Sequence, residues 1–430
     1  MKKKKAETTT KASRRDFIKA STAIGMTAIL PGKELLFAAG SDKLRVGLIG
    51  CGGRGTEAAE NCVTAAPNVE VVAMGDLFQD QLDKSLAELS RKVDDKVSVT
   101  ADTSFVGFDA YKKVIGCDVD VVILATPPHF RPEHYKAAIE AGKHVFMEKP
   151  VAVDPPGIRS IIASSERAEQ KGLSVVAGTQ RRHQTYYLEI IKRVHNGDIG
   201  EIVSGQCYWN MGELWVKKHQ PDWSDMEWQC RNWLYFTWLS GDHIVEQHVH
   251  NLDIINWAIG AHPIQAMGMG GRQVRTGPEY GNIFDHFAVE YEYPNGVRIS
   301  SMCRQTAGCY EVVAERIVGT TGQTYTDGSI GSIEGQNPYK YEGESPDPYV
   351  QEHTDLIASI RDGKALNEGR RVAESTMTAI MGRMSAYTGR ALSWDWAMNA
   401  SKFDLSPPGY DFNIDLPVAP VAVPGKTLLV

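Results

Sequence analysis

Short apolar runs alternate with stretches of helical periodicity along the first third of the chain. Runs that are apolar throughout and bounded by turn residues are typical of strands buried on both faces. The predicted strands are residues 44–49, 69–74, 118–125 and 143–147. The predicted helices between them are residues 56–65, 79–90 and 132–141. Strands that alternate with helices predict an α/β fold with a Rossmann-type doubly wound parallel sheet, which binds ligands at the carboxyl ends of its strands.

After a further strand at 173–178, the pattern changes to alternating polar and apolar residues, which is typical of half-buried antiparallel strands. The strands predicted here are residues 202–210, 284–293, 297–304 and 312–318. Between the second and the third of these, Asn295-Gly296 is a strong hairpin signal, because Asn-Gly turns match the twist of paired strands. This half is therefore predicted to be an α+β domain with a large, open and mainly antiparallel sheet.

Two helical regions accompany this second sheet. Residues 240–260 are predicted to form a single helix, and residues 355–388 are predicted to form two helices separated by Gly363-Lys364. Residues 406–430 contain five prolines and are expected to be extended, either as an arm on a partner subunit or as a loose tail.

The first predicted strand ends in a glycine-rich loop. Gly50, Gly52 and Gly55 have the G-x-G-x-x-G spacing, which permits a tight turn, close approach of a pyrophosphate and packing of the following helix. The second strand leads to Asp76, where a carboxylate can hydrogen-bond the 2′-hydroxyl of an adenosine ribose and repels a 2′-phosphate. The pattern therefore predicts NAD, with NADP disfavoured, unless Asp76 only caps the next helix.

The charge distribution and the N-terminal residues bear on the expected ligands and on the expected cellular compartment. The formal net charge is −7, but residues 1–40 hold nine Lys or Arg and three Asp or Glu, which leaves −13 for the rest. So acidic a chain is not expected to bind nucleic acid. Arg14-Arg15, followed by Phe-Ile-Lys and a mildly apolar stretch, is similar to a twin-arginine signal, although an amphipathic helix is an alternative. We expect a bacterial exported or periplasmic protein that uses the twin-arginine export machinery and keeps its cofactor bound.

The glycine loop, an Ala-Thr-Pro turn at 125–127, a Glu-Lys-Pro turn at 148–150 and the region 240–260 together resemble the glucose–fructose oxidoreductase / inositol dehydrogenase (Gfo/Idh/MocA) family. The resemblance implies that the lysine of Glu-Lys-Pro reaches the substrate and the nicotinamide, and that an arginine loop near 182 contributes to the substrate cleft. The implied cofactor-binding residues are Gly50, Gly52, Gly53, Arg54, Gly55, Asp76, Thr126, Pro127, His129, Glu148 and Lys149. The implied substrate-cleft arginine is Arg182.

The region 240–260 carries the remaining candidate chemistry. As one helix it would place five residues within an arc of roughly 80°. These residues are His243, Glu246, His250, Asp253 and Trp257. His250 and Asp253 match the end of the family pattern Asp-x-x-x-His-x-x-Asp, whereas Glu246 replaces its first Asp. Oxidation of an alcohol needs a base, and histidine suits that task. The expected catalytic residues are Lys149, His250 and Glu246, and the expected substrate ligands are Arg182, Asp253 and His243.

Two further features leave alternatives open. His243, Glu246 and His250 could share a metal, but the spacing is not the histidine pair of zincins and the redox chemistry needs none, so no metal is expected. Six of the nine tryptophans lie between Trp209 and Trp238, and residues 213–239 have little periodicity. This segment is equally well explained as a carbohydrate cleft or lid and as a local aromatic core or oligomer contact.

The leading interpretation is an NAD-dependent oxidoreductase that transfers hydride between a secondary alcohol of a sugar, glycoside or cyclitol and a tightly bound cofactor, in a homo-oligomer formed through the C-terminal sheet. The alternative is an NAD-dependent glycosidase that works by transient oxidation, elimination, hydration and reduction. A non-catalytic regulator would be expected to lack the Lys149 and His250 pair. The expected segments are an export signal at 1–40, a Rossmann domain at 41–165, a substrate-binding and oligomerisation domain at 166–405 and an arm at 406–430.

Overall fold

The chain builds two β-sheets, one from the apolar runs and one from the alternating strands. The computed structural model describes residues 43–429, so the predicted export signal lies outside the described residues. The strands are β1 Leu44–Ile49, β2 Val69–Asp76, β3 Ser104–Val106, β4 Val121–Leu124, β5 His144–Met147, β6 Val175–Ala177, β7 Ile202–Met211, β8 Gln265–Gly271, β9 His286–Glu292, β10 Arg298–Gln305, β11 Val312–Gly319, β12 Gly322–Asp327, β13 Gly331–Gly335, β14 Tyr339–Lys340 and β15 Leu392–Ser393. The α-helices are α1 Gly53–Ala65, α2 Gln79–Val93, α3 Ala110–Gly116, α4 Arg131–Glu140, α5 Pro155–Gln170, α6 Thr185–His195, α7 Asp225–Arg231, α8 Thr237–Ser240, α9 His243–Glu246, α10 Val249–Ile259, α11 Pro348–Arg361 and α12 Gly369–Thr388.

Six strands form a parallel sheet in the order β3-β2-β1-β4-β5-β6. Every neighbouring pair is parallel, because the chain between successive strands crosses back over a face of the sheet. The central strand β4 is buried on both faces, and none of its residues is more than 1% exposed. This confirms the predicted doubly wound sheet, whose strand order is that of a dinucleotide-binding fold.

The second sheet has nine strands in the order β14-β13-β12-β11-β7-β10-β9-β8-β15, and it is antiparallel except for the pair β7–β10. The predicted turn joins β9 to β10, with Asn295 and Gly296 both at positive φ and Glu292 paired with Arg298 across the hairpin. Helices α10 and α12 pack against this sheet. The predicted open, mainly antiparallel sheet is confirmed.

The predicted single helix at 240–260 is wrong, because the chain is interrupted there. Gly241 and Asp242 lie at φ 76° and 70°, so helix α8 ends before the short helix α9 begins. The fully buried Asp242 carboxylate stabilises this backbone by accepting hydrogen bonds from the His243 amide at 2.6 Å and the Tyr387 hydroxyl at 2.5 Å. A second break separates α9 from α10, so a periodicity of 100° per residue does not extend across the region.

The C-terminal helices and the final segment complete the fold. The two predicted helices at the C-terminus are confirmed as α11 and α12. The described part of the arm, residues 406–429, contains no helix or strand, and it lies against its own chain and not as a loose tail. Among residues 43–429 no helix is long and apolar enough to cross a membrane.

Candidate active site

The glycine-rich loop between β1 and α1 forms one wall of a cavity of about 470 Å³. Gly50 has φ 97°, and a β-carbon there would lie 2.6 Å from the backbone of Ala125. A β-carbon at Gly52 would meet nothing within 4 Å, because this residue faces the cavity. Gly52 is also the N-cap of α1 and provides no side-chain cap, so the first amides of the helix can bind an anion. The loop therefore fits the pyrophosphate of a dinucleotide.

Asp76, at the end of β2, lines the same cavity. Its carboxylate accepts hydrogen bonds from the amide of Cys51 at 2.6 Å and from the amide of Phe78 at 2.8 Å. Phe78 is the N-cap of α2, so Asp76 does not bind the amides of the first helical turn and is not the helix cap. Burial raises the pKa of Asp76, and the two amides oppose that rise. Each carboxylate oxygen can still accept a second hydrogen bond, as binding of a ribose hydroxyl requires.

The cavity includes most, but not all, of the residues expected to bind the cofactor. The predicted residues that line it are Gly50, Gly52, Gly53, Arg54, Gly55, Asp76, Thr126 and Pro127. Phe78 and Phe108, and then Lys217 and Arg231 from the 213–239 segment, also line it and were not predicted. These four residues share no motif, because packing between distant segments brings them together.

Arg54 and Glu148 form a charged cluster beside the cavity. The Arg54 guanidinium donates to Glu148 at 2.6 Å and to Glu352 at 3.2 Å, and it lies over the Tyr349 ring. Burial and the neighbouring Glu148 raise the pKa of Glu352. Arg54 thus joins the glycine loop to the Glu-Lys-Pro turn and to α11. The Glu148 side chain binds Arg54, and neither Glu148 nor Lys149, both predicted to contact the cofactor, lines the cavity.

Lys149 and Glu246 meet across the two sheets. The Lys149 ammonium donates to the backbone oxygen of Glu246 at 2.7 Å and to its carboxylate at 3.0 Å, and both side chains are largely buried. Lys149 is the second residue after β5, and Glu246 is the last residue of α9. These two predicted catalytic residues therefore lie together at the carboxyl end of the parallel sheet, in a direct contact that was not predicted.

His250 lies in the first turn of α10 and is 7% exposed. Its ring stacks on the indole of Trp209, with centroids 5.8 Å apart and planes 20° apart. Burial and the positive charge of Lys149 lower the pKa of His250 well below its ordinary value. No group among residues 43–429 hydrogen-bonds its ring nitrogens in this structure. The imidazole is therefore neutral and has a nitrogen available to accept a proton.

Two predicted site histidines lie elsewhere. His243, predicted to bind substrate, is buried with Nδ1 at 2.9 Å from Asp242, because the break before α10 takes it away from the face of His250. His129, predicted to bind the cofactor, does not line the cavity. Its Nε2 lies 2.7 Å from the Tyr410 hydroxyl of the arm, and burial lowers the pKa of His129 to about 4.

Arg182 and Asp253, both predicted to bind substrate, bind each other. The guanidinium donates to both carboxylate oxygens, at 2.8 and 2.9 Å, and it lies 4.6 Å from the centroid of Trp257. Ser375 donates a further hydrogen bond to Asp253 at 2.7 Å. Burial by itself would raise the pKa of Asp253, but the charge of Arg182 outweighs burial, and the pKa is lowered. Asp253 is only 1% exposed, and these contacts join α10 to Arg182 and to Ser375 of α12.

Arg131 is a site residue that the sequence analysis missed. It is fully buried, and its guanidinium donates to the Thr126 oxygen at 2.5 Å and to the Pro150 oxygen at 3.2 Å. It therefore fixes the Thr-Pro turn of the cavity relative to the turn that carries Lys149. Burial lowers the pKa of Arg131 to about 10. An arginine at the start of a helix is usually exposed, so its sequence position gives no sign of this role.

The tryptophans between Trp209 and Trp238 lie in two environments. Trp209, just before the segment, stacks on His250. Trp223, Trp228, Trp233 and Trp238 belong to a hydrophobic cluster with Phe78, Phe108 and Phe130, which follow strands β2, β3 and β4 of the first sheet. For these four the local-core interpretation is the observed one, and the segment packs over the cofactor side of the molecule. Among residues 43–429 no group of three or more His, Cys, Asp or Glu is placed to hold a metal ion.

Comparison with known proteins agrees with this architecture. The model of an oxidoreductase family with an NAD-binding Rossmann fold matches residues 44–178, and the Gfo/Idh/MocA C-terminal domain matches residues 187–325. The 2,7-anhydro-N-acetylneuraminate hydratase of Escherichia coli (strain K12) is 29% identical over 178 residues, which are 41% of this chain and 44% of that protein. The scyllo-inositol 2-dehydrogenase (NAD(+)) of Bacillus subtilis (strain 168) is 23% identical over 298 residues, which are 69% of this chain and 76% of that protein.

A solved structure shows the same fold over most of the chain. The aldose-aldose oxidoreductase from Caulobacter crescentus superposes with a TM-score of 0.64 at 17% identity, covering 82% of this chain and 99% of that chain. The chain spans less than half the length of the hydratase but about three quarters of the inositol dehydrogenase. The two family matches together extend over more than half of the sequence, and they confirm both the resemblance and the predicted cofactor. The chain belongs to the Gfo/Idh/MocA family of NAD-binding oxidoreductases.

Proposed function

We propose that the protein oxidises or reduces a secondary alcohol of a sugar, glycoside or cyclitol with an NAD that it retains. The observation that carries the proposal is the contact between Lys149 and Glu246, with a neutral His250 at the start of the next helix. This group lies at the carboxyl end of a doubly wound sheet, where ligands of such folds bind. The inositol dehydrogenase relative supports a polyhydroxylated ring as the substrate class.

The side chains divide the chemistry between them. NAD supplies the hydride acceptor. His250, kept neutral by burial and by the charge of Lys149, accepts the hydroxyl proton of the substrate at a ring nitrogen. The Lys149 ammonium donates a hydrogen bond to the same oxygen and stabilises its developing negative charge. Glu246 orients the ammonium through its carboxylate and backbone oxygens, and Trp209 fixes the plane of the imidazole.

An absorbance spectrum of the purified protein tests this function. Spectra are recorded before and after mixing with a panel of sugars, glycosides and cyclitols, without added NAD. We expect a band at 340 nm that persists until an acceptor is added, because the hydride stays on a bound cofactor. If neither nucleotide nor a spectral change appears, even with NAD supplied, the proposed activity is wrong.

A second candidate is the glycosidase that oxidises its substrate transiently. The hydratase relative favours it, because addition of water is one step of that sequence. The same Lys149 and His250 would serve both reactions. In the same spectroscopic experiment, release of an aglycone together with a band that returns unaided to its starting level would support the glycosidase over the dehydrogenase.

We also propose export and self-association. Arg14-Arg15 at the N-terminus supports a twin-arginine route to the periplasm, and substitution of both by Lys should leave the protein in the cytoplasm of a bacterial host.

On the second sheet, Met269 on β8 and Met302 on β10 flank Ala288 and are 75% and 45% exposed. An exposed apolar patch of this kind supports a homo-oligomer through the sheet. Met269→Glu should dissociate the oligomer in analytical ultracentrifugation.

A further inference from the structure

Lys217 is a cation that lines the nucleotide cavity. It lies in the 213–239 segment, is half-buried and lines the cavity together with Asp76. Among residues 43–429 its ammonium makes no ion pair and no hydrogen bond, and the indole of Trp215 is its ring neighbour at 5.8 Å. Burial and the nearby Arg231 lower the pKa of Lys217. Partial desolvation of a cation without an acceptor is unfavourable, so this position favours a ligand that supplies one.

Arg231 is the other cation that the 213–239 segment contributes to this cavity, and its guanidinium is bound by protein side chains. It donates to both oxygens of Asp80 at 3.1 Å and to Glu227 at 2.8 Å, and its guanidinium lies 3.8 Å from the centroid of Phe78. Asp80 and Phe78 both follow β2 closely. Arg231 therefore anchors the 213–239 segment to the part of the first sheet that carries Asp76. The contrast leaves Lys217 as the cation available to a ligand.

The C-terminal arm holds this segment from the other side. Phe412 stacks on Phe78, with centroids 5.8 Å apart, and lies 5.3 Å from Phe108. The backbone oxygen of Leu416 accepts a hydrogen bond from Gln229 at 2.6 Å, and Gln229 accepts one from the indole of Trp238 at 2.7 Å. The arm, the segment and the edge of the first sheet thus form one hydrophobic cluster beside the cavity.

We infer that Lys217 is a nucleotide-binding residue supplied by the second half of the chain, and that the 213–239 segment and the arm retain NAD by closing the adenosine end of its site. The ammonium donates to the ribose oxygens or to the adenine ring nitrogens, opposite Asp76. The cofactor then cannot leave without movement of a segment that Arg231 and Phe412 hold in place. This inference rests on the proposed use of NAD and identifies where retention is achieved.

Ligands that represent each half of NAD test the role of Lys217. Lys217→Ala is compared with Lys218→Ala, a matched control because Lys218 is the exposed neighbour. Isothermal titration of the full chain, freed of nucleotide, uses ADP-ribose and nicotinamide mononucleotide as probes. We expect Lys217→Ala to weaken ADP-ribose binding about tenfold and to leave nicotinamide mononucleotide unaffected, since a hydrogen bond from a charged group is lost on the adenosine side only. Equal affinities of the two variants for ADP-ribose would overturn the assignment.

The dissociation rate of NAD tests retention. Phe412→Ala is compared with Leu428→Ala, which removes an exposed side chain of the same arm. We expect Phe412→Ala to accelerate NAD release about tenfold in a displacement experiment, and Tyr410→Phe, which keeps the ring and loses the hydrogen bond to His129, to accelerate it less. Release of NAD at the wild-type rate from Phe412→Ala and from Tyr410→Phe would refute the closure. Failure of the wild-type protein to bind either NAD or ADP-ribose would instead refute the proposed function.

Discussion

The two ends of the cofactor site are assembled in different ways. At the catalytic end, Lys149 follows a strand directly and Glu246 and His250 lie four residues apart on two short helices. At the adenosine end, Lys217 and Phe412 come from segments that are far apart in the chain, and neither residue lies in a helix or a strand. The residues at the first end belong to local motifs, although Lys149 and Glu246 are 97 positions apart, whereas the residues at the second end belong to no motif. Each end can therefore be disrupted without the other.

The largest effect is expected from Lys149→Ala. Loss of the ammonium removes the group that stabilises charge on the substrate oxygen, so kcat should fall by about 10² to 10⁴. ADP-ribose affinity should stay unchanged, because the residue belongs to the catalytic end. Initial rates and titrations of this variant are compared with those of Lys136→Ala, an exposed lysine. A kcat within threefold of the wild-type value would contradict the assigned role.

His250→Asn should lower kcat by about 10² to 10³ and should change the pH profile. The ordinary pKa of histidine is about 6.5. Because the pKa of His250 is lowered, the imidazole is still neutral at that pH, and the acid limb of the wild-type profile should lie below it. Activity is lost only when pH falls further and the ring is protonated. The residual activity of the variant should lack this limb. An acid limb centred above pH 6.5 in the wild-type kcat/KM would show that burial does not set the protonation of the base.

Asp76→Ala should act at the adenosine end alone. Loss of the carboxylate removes its contact with the ribose and the repulsion of a 2′-phosphate, while Lys217 remains in the cavity. NAD should bind about tenfold more weakly and NADP relatively better. Titration with both nucleotides measures the ratio, and Asp83→Ala on the exposed side of α2 is the control. An unchanged preference would mean that Asp76 serves only to hold the Cys51 and Phe78 amides.

The same contrast explains how far the sequence could predict the molecule. Motifs identify Lys149 and Glu246 as candidates, but not their contact across 97 positions. The parallel sheet and the hairpin at Asn295-Gly296 follow from periodicity and a turn motif. The interruption at Gly241-Asp242 does not, because a buried carboxylate with partners from α12 stabilises a backbone that propensity disfavours there. The burial of Arg131 and the path of the arm are likewise set by tertiary contacts. No local pattern identifies such contacts.

The smallest effect is expected from Glu246→Asp, which restores the residue of the family pattern. The shorter side chain withdraws the carboxylate by one methylene, but the Lys149 ammonium is also held by the backbone oxygen of residue 246 at 2.7 Å. The lysine should therefore stay in place, and kcat should fall less than tenfold, with KM moving by a similar factor if the carboxylate also binds substrate. Steady-state kinetics on the substrate found in the panel measure both constants. A loss as large as that of Lys149→Ala would show that the carboxylate, and not the backbone oxygen, positions the ammonium, and that the catalytic end depends on the reach of this one side chain.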